Sequence, residues 1–248
     1  MQVRGGGADL ADAIVRQRDD PGWKDEVARA GKAGIRILTP VDAEYPKPLR
    51  DIHDPPMALY VRGTLEARDA HAVAVVGTRR PSHYGLDCAE SLSYQLAQAG
   101  FTVVSGLAEG IDTAVHKGAL KAKGRTLAVI GSGMDHLYPE SNRSLAAAIA
   151  EAGAVMSEFP LDKKPDKTTF PIRNRIVSGL SMGVLVVEAD MKSGAMITAR
   201  AALDQGRSVF AIPGRIDSGR SSGTHDLIKN GARLVTGIDD ILQEYEFL

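Results

Sequence analysis

Apolar residues along this chain come in short unbroken runs, without alternation. The clearest are 72–76, 102–105, 126–130, 154–157, 183–188, 208–212 and 233–235, built mostly from Val, Ile, Leu and Ala. A strand covered on both faces needs apolar side chains on both, so these runs predict parallel strands. Between them, 84–99, 113–122, 141–150, 170–179, 195–205, 223–229 and 238–244 predict helices. These helices often start beside Ser, Asp or Asn, and several end at glycine (Gly100, Gly124, Gly179, Gly206), as helix caps require. Strand–helix alternation predicts a doubly wound parallel α/β sheet.

Upstream the pattern weakens. Residues 1–32 are polar and alanine-rich, with a Gly5-Gly6-Gly7 lead and helical periodicity broken at Pro21-Gly22. Residues 33–70 are punctuated by Pro46, Pro48, Pro55 and Pro56, which predicts an extended arm without a core of its own. Leu59-Tyr60-Val61 is placed to add a strand beside the main sheet. The predicted division is a short N-terminal helical or flexible segment (1–32), an arm (33–70) and the α/β domain (71–248).

Composition narrows the function classes. The chain has 248 residues, 44% of them hydrophobic, enough for one large domain with a small appendage. A net charge of −1 offers no global basic field, so a polyanion partner would need a local basic patch. The single cysteine, Cys88, excludes an intramolecular disulfide framework. There is no apolar run of about 18 residues and no secretory h-region, so a soluble cytoplasmic protein is expected.

Candidate chemistry collects where the predicted strands end, the edge at which open α/β sheets bind ligands. Gly77-Thr78-Arg79-Arg80 follows the first run, Ser105-Gly106 and Gly110-Ile111-Asp112 the second, and Gly131-Ser132-Gly133 the third. Glu158-Phe159-Pro160 follows the fourth, Glu188-Ala189-Asp190 with Ser193-Gly194 the fifth, and Pro213-Gly214 the sixth. Glycine turns there are expected to present backbone N–H groups to an anion, and Arg79 adds a donor fork suited to phosphate. Structural readings stand beside these. A tight turn needs glycine whatever binds there, Asp112 is placed to cap a helix, and His116 fits a helix face.

The stretch 161–181, LDKKPDKTTFPIRNRIVSGLS, is locally basic. Lys163, Lys164 and Lys167 lie in a Pro-punctuated loop leading to Phe170 at a helix start. Lysines that follow a backbone beside a ring that stacks on a base make a platform for single-stranded nucleic acid. A solvated loop with Phe170 tucked beneath the helix is the bland alternative. Arg173 and Arg175 fall on different faces of that helix, so at least one is expected to pair internally.

Several catalytic classes lack their motifs. The first turn is not G-x-G-x-x-G and no acidic residue ends the second strand, against a nicotinamide dehydrogenase. There is no G-x-x-x-x-G-K-[ST] and no G-x-S-x-G. The histidines are scattered without H-x-x-x-H spacing, so neither a metal nor another cofactor is expected.

The runs VAVVGTRRPSHYG, SGLAEGIDTAVHKGAL, TLAVIGSGMDHLYPESNRSL, FPIRNRIVSGLSMGVLVVEADMKSGAMITARAALDQGRSVFAIPG and SSGTHDLIKNGARLV together resemble the DNA-processing protein DprA (Smf) family. The likeness extends over about 34–242 and includes the arm. It implies an extended Rossmann-like domain that binds single-stranded DNA, protects incoming DNA in natural transformation and helps load RecA recombinase. It implies a homodimer and no catalytic activity. Carried over, the DNA-binding residues are Gly77, Thr78, Arg79, Ser105, Gly106, Lys164, Lys167, Phe170, Arg173, Asn174 and Arg175. Gln205-Gly206-Arg207 matches a family segment without an assignable role. Two departures stand out. The first 32 residues are short for the family's helical domain and the chain stops at Leu248, so both appended domains, including the winged helix, are expected to be missing. Glu109 stands where Arg is common in S-G-L-A-R-G-I-D, which removes a positive charge beside the crevice. The alternative is a phosphoribohydrolase acting on nucleoside monophosphates, from a lysine-decarboxylase-like family of similar fold. Its P-G-G-x-G-T-x-x-E run is missing at Pro213-Gly214-Arg215-Ile216-Asp217-Ser218, leaving Glu188 and Asp112 as acid/base candidates.

Overall fold

The computed structural model describes Asp12, Val15 and residues 22–246. The predicted N-terminal elements before residue 22 otherwise lie outside the described residues. The central strand is β3 (Ala72–Val76), buried at every position. Ala72, Ala74 and Val76 pack into one apolar cluster and Val73 and Val75 into another, which is why this strand tolerates no polar alternation. From β3 the chain steps outward through β4 (Thr102–Ser105), β5 (Thr126–Val129) and β6 (Ala154–Ser157), all parallel. It then returns to the other side of β3 as β7 (Gly183–Val186), followed by β8 (Ser208–Ala211) and β9 (Arg233–Leu234).

The arm completes the sheet. Within it, β1 (Ile35–Leu38) pairs antiparallel with β2 (Leu59–Gly63), and β2 pairs antiparallel with β6, Val61 opposite Met156. The described sheet has nine strands in the order β1-β2-β6-β5-β4-β3-β7-β8-β9. Between β1 and β2, Tyr45, Leu49 and Ile52 are buried in the same cluster as Ile176, Val177 and Leu180. Each such burial contributes about 1.5–3 kcal/mol, so the arm is held by the main core. Tyr45 also donates its hydroxyl to the Pro56 carbonyl at 2.9 Å.

Helices cover both faces. On one lie α1 (His83–Gln98) and α2 (Ile111–Lys121), packed against each other. On the other lie α3 (Thr169–Gly179) and α4 (Gly194–Asp204), also mutually packed. The observed helix starts differ from the predicted ones by one or two residues. Thus α2 begins at Ile111, because Gly110, at φ +79°, takes the cap position and Asp112 sits inside the first turn.

Opposite the strand C-termini, the sheet edge is closed by charge pairing. Arg125, just before β5, donates to both oxygens of buried Asp69 at 2.5 and 2.8 Å and to Glu66 at 3.0 Å. Asp69 accepts in addition from the Thr102 hydroxyl at 2.9 Å and the Glu66 amide at 2.8 Å. This network ties the end of the arm to the start of β4 and β5. The Q-G-R segment has a similar role: Gln205 donates to the Arg175 carbonyl at 3.0 Å and Arg207 to the Pro48 carbonyl at 3.2 Å. It joins the end of α4 to α3 and the arm.

Candidate nucleic-acid interface

The chain leaves β3 in one direction and returns beside it as β7, so the turns after these strands separate and a crevice opens between them. The first turn is fixed by close approach. A Cβ on Gly77 would lie 2.6 Å from Ile111 Cγ1 and 3.0 Å from the Glu188 carbonyl. Thr78 donates its amide to that carbonyl at 2.7 Å, and its own carbonyl accepts the Ile111 amide at 3.2 Å. A Cβ on Gly110 would strike the Thr78 carbonyl at 2.6 Å. The two glycine turns are therefore interlocked. Contrary to the sequence expectation, the Thr78 and Ile111 amides are engaged inside the protein. The Ala108 amide likewise donates to Asp112 at 3.3 Å. The side chains of Arg79 and Arg80, both exposed, are the charged donors placed to meet an anion on this wall.

Together these elements line a cavity of about 810 Å³. One wall is Gly77, Thr78, Arg79 and Arg80, with Gly106 below. Opposite stand Lys167, Phe170, Arg173 and Asn174 from the lysine loop and α3. Ser193, Gly194 and Thr198, at the start of α4, and Arg220 close the third side. The Arg79 guanidinium lies over the Phe170 ring at 5.0 Å from its centroid, within cation–π range. Gly131 makes that placement possible, since a Cβ there would be 2.7 Å from the Phe170 ring.

The floor carries two buried titratable side chains, Arg173 and Asp112. Arg173, 5% exposed, donates to the Gly106 carbonyl at 2.6 Å and also to the Val129 carbonyl. Burial lowers its pKa to about 10, which the Asp112 carboxylate partly offsets. It stays cationic at neutral pH. Asp112 is pushed up by burial, against the pull of Arg173, the Ala108 amide and Arg79. Both side chains converge on Gly106, where a Cβ would be 2.5 Å from Arg173 and 2.6 Å from Asp112. Five basic side chains line the cavity (Arg79, Arg80, Lys167, Arg173, Arg220) against two acidic ones, Asp112 and Asp190. A balanced chain thus carries a concentrated positive patch at one place.

Of the residues singled out from sequence, Gly77, Thr78, Arg79, Gly106, Lys167, Phe170, Arg173 and Asn174 come together here. Three do not. Ser105 is fully buried and donates its hydroxyl to the Val75 carbonyl at 2.7 Å. Lys164 is exposed on the loop outside the cavity. Arg175 grips Glu158 through two nitrogens at 2.9 and 2.6 Å and the Asp54 carbonyl at 2.9 Å, fastening α3 to the arm. Glu109 is exposed on its turn and does not line the cavity. The carboxylates considered for acid/base work are engaged as well. Glu188 accepts the Ser82 amide at 2.8 Å and hydroxyl at 2.5 Å, holding the start of α1.

Sequence reasoning named Arg80 in the first turn without giving it a role and passed over Arg220. Arg220 sits in the turn after β8, at the same edge of the sheet, and its Nε donates to the Arg80 carbonyl at 2.8 Å. The rule that read the earlier strand ends applies equally there, but the nine residues from Pro213 to Ser221 hide which one reaches the crevice.

This fold and crevice define a Rossmann-like α/β protein with a basic site at its topological switch point. Residues 36–246 match the family model described as DNA recombination-mediator protein A, and the chain belongs to that family. It is 49% identical over 212 residues to protein Smf of Escherichia coli, covering 85% of this chain and 57% of that relative. It spans 62% of the length of protein Smf from Synechocystis. A structure of DNA processing protein A from Streptococcus pneumoniae superposes with a TM-score of 0.89 at 42% identity, over 98% of this chain and 84% of the other. DNA processing protein A from Helicobacter pylori, whose structure is described for its single-stranded DNA binding mode, gives a TM-score of 0.76 at 33% identity, over 86% and 95%.

Proposed function

We propose that this chain binds single-stranded DNA across the crevice and acts in DNA processing during transformation and recombination. The observation that carries the reading is the Arg79–Phe170 pair inside a cavity lined by five basic side chains. A half-buried ring within a crevice is reachable by an unstacked base and not by one held inside a duplex. Arg79, Lys167 and Arg220 are the candidates to follow the phosphates. Arg173 and Asp112 act from below, holding the floor that spaces the two walls. Gly77, Thr78, Gly106 and Asn174 shape the walls. Ser105 and Arg175 contribute through the frame. Binding here requires no reaction step, in line with the engaged carboxylates. The family resemblance extends the proposal to protection of incoming DNA in the cytoplasm, help in loading RecA recombinase, and action as a homodimer.

The test is fluorescence anisotropy of oligo-dT against duplex DNA across a salt series, with light scattering for the oligomer. Wild type prefers the single strand, and its affinity falls with salt. Arg79→Ala or Lys167→Ala lowers affinity about tenfold or more and reduces the salt slope by about 0.7 for each phosphate left without its cation. Both variants binding like wild type would remove the site. Stimulation of RecA filament growth on protein-coated single strands tests the wider role.

A further inference from the structure

Beside the cavity, outside its lining, stands a second ring. Tyr138 lies in the loop after β5, its centroid 6.0 Å from that of Phe170 and the two planes inclined by 55°. The chain on either side is anchored, with Leu137 and Pro139 both buried, yet Tyr138 itself is 44% exposed. Its hydroxyl has no hydrogen-bond partner among the described residues. The other exposed rings are placed differently. Tyr84 donates its hydroxyl to the Pro213 carbonyl at 3.0 Å, and Trp23 lies in the helix Gly22–Lys32 before the arm.

A single exposed aromatic needs no explanation. Here, however, Phe170 links three groups: the Arg79 guanidinium lies over its ring, and Tyr138 stands against it. The loop is also cleared of bare negative charge. Asp135 pairs with Arg29 at 2.8 Å and Glu140 with Arg143 at 2.7 Å. Resting on the reading of the cavity as a single-strand interface, we propose that Tyr138 is a second base-stacking platform, so that the strand leaves the cavity over Phe170 and lays its next base on Tyr138. The inclined planes would hold two neighbouring bases splayed apart, as unstacked single strands permit. The contact is to the base face and involves no phosphate, so it tolerates any sequence.

The test uses the full chain with oligo-dT and Tyr138→Ala, Tyr138→Phe and Phe170→Ala. Tyr138→Ala is expected to weaken binding about fivefold or more with an unchanged salt slope, while Tyr138→Phe binds like wild type, because the ring and not the hydroxyl makes the contact. Photo-crosslinking to bromodeoxyuridine-substituted oligo-dT is expected to label the tryptic peptide containing Tyr138, a readout that a purely structural role would not produce. It also decides the matter if Tyr138→Ala fails to fold. Tyr138→Ala within twofold of wild type, or crosslinks confined to other peptides, overturns the second platform while Phe170→Ala and Arg79→Ala still weaken binding. If those two also bind like wild type, the crevice reading falls with it.

Discussion

The two edges of the sheet use the same residue type in opposite ways. At the N-terminal ends of the strands, the Arg125 side chain is 4% exposed and carries two carboxylate partners, Asp69 and Glu66. At the C-terminal ends, Arg79, Arg80 and Arg220 are exposed and have no carboxylate partner among the described residues; their charge is directed at a cavity. A buried arginine without its carboxylate would be an uncompensated charge, so pairing at the first edge is a condition of folding. At the second edge water solvates the exposed guanidinium groups, so missing carboxylate partners are tolerated there, which is what the proposed binding of a polyanion requires.

The sharpest way to separate the edges is Arg125→Met. It strands the Asp69 carboxylate and is expected to cost about 3–5 kcal/mol of stability, lowering Tm by about 10 °C. The affinity of the molecules that remain folded should be unchanged. A loss of DNA binding at unchanged Tm would break the distinction.

Next comes acid. His116, near the same edge, is fully buried. Thr126 gives its hydroxyl proton to the Val103 carbonyl, so His116 Nδ1 is the donor in its 2.8 Å contact with Thr126. Nε2 is left without a partner among the described residues, and burial drops the pKa from 6.5 to about 3. As pH falls below 6.5 the unfolded chain takes up a proton that the folded chain refuses until about 3. Stability therefore declines across that window, by about 2 kcal/mol at pH 5. Urea titrations at pH 7 and pH 5 should show this decline for wild type, and His116→Gln should show a smaller one.

At the open edge the order reverses. Arg79→Ala should shift stability by no more than about 0.5 kcal/mol while weakening single-strand binding about tenfold. Arg220→Ala, which removes the third wall's charge, should weaken binding about threefold and lower the salt slope by less than one. An Arg220 variant that lost stability but not affinity would move that residue to the structural side.

Much of this was legible from residue types alone. Strands β3, β4 and β6 run where the largely apolar stretches predicted, because a doubly covered strand admits polar side chains only where they are hydrogen-bonded inside the fold, as Thr102, Ser105 and Ser157 are. The crevice residues Gly77, Arg79 and Gly106 were found because ligand sites in such sheets fall at strand C-termini, and Lys167 and Phe170 because a basic loop leads to a ring at a helix start. Arg173 and Arg175 were separable too, since residues two apart on a helix point to different sides. Their destinations were not legible. Of the partners of Arg175, Asp54 lies far off in the chain and is brought near by the docking of β2 on β6 and the packing of Tyr45, Leu49 and Ile52 against α3, while Glu158 comes from the turn after β6. The engagement of the Thr78 and Ile111 amides was hidden for the same reason, as it depends on two turns packing within van der Waals distance.

The sequence by itself determined the alternation of strands and helices, the edge at which chemistry would sit, and the basic loop with its ring. These follow from local patterns of polarity and from where glycine is needed. Only the tertiary structure decided which arginines are neutralised and which stay free, that Arg220 forms the third wall, and that Tyr138 stands next to Phe170. Those outcomes depend on distances between segments remote in sequence, and the interaction of charges and rings is set by distance and burial, which no local pattern encodes.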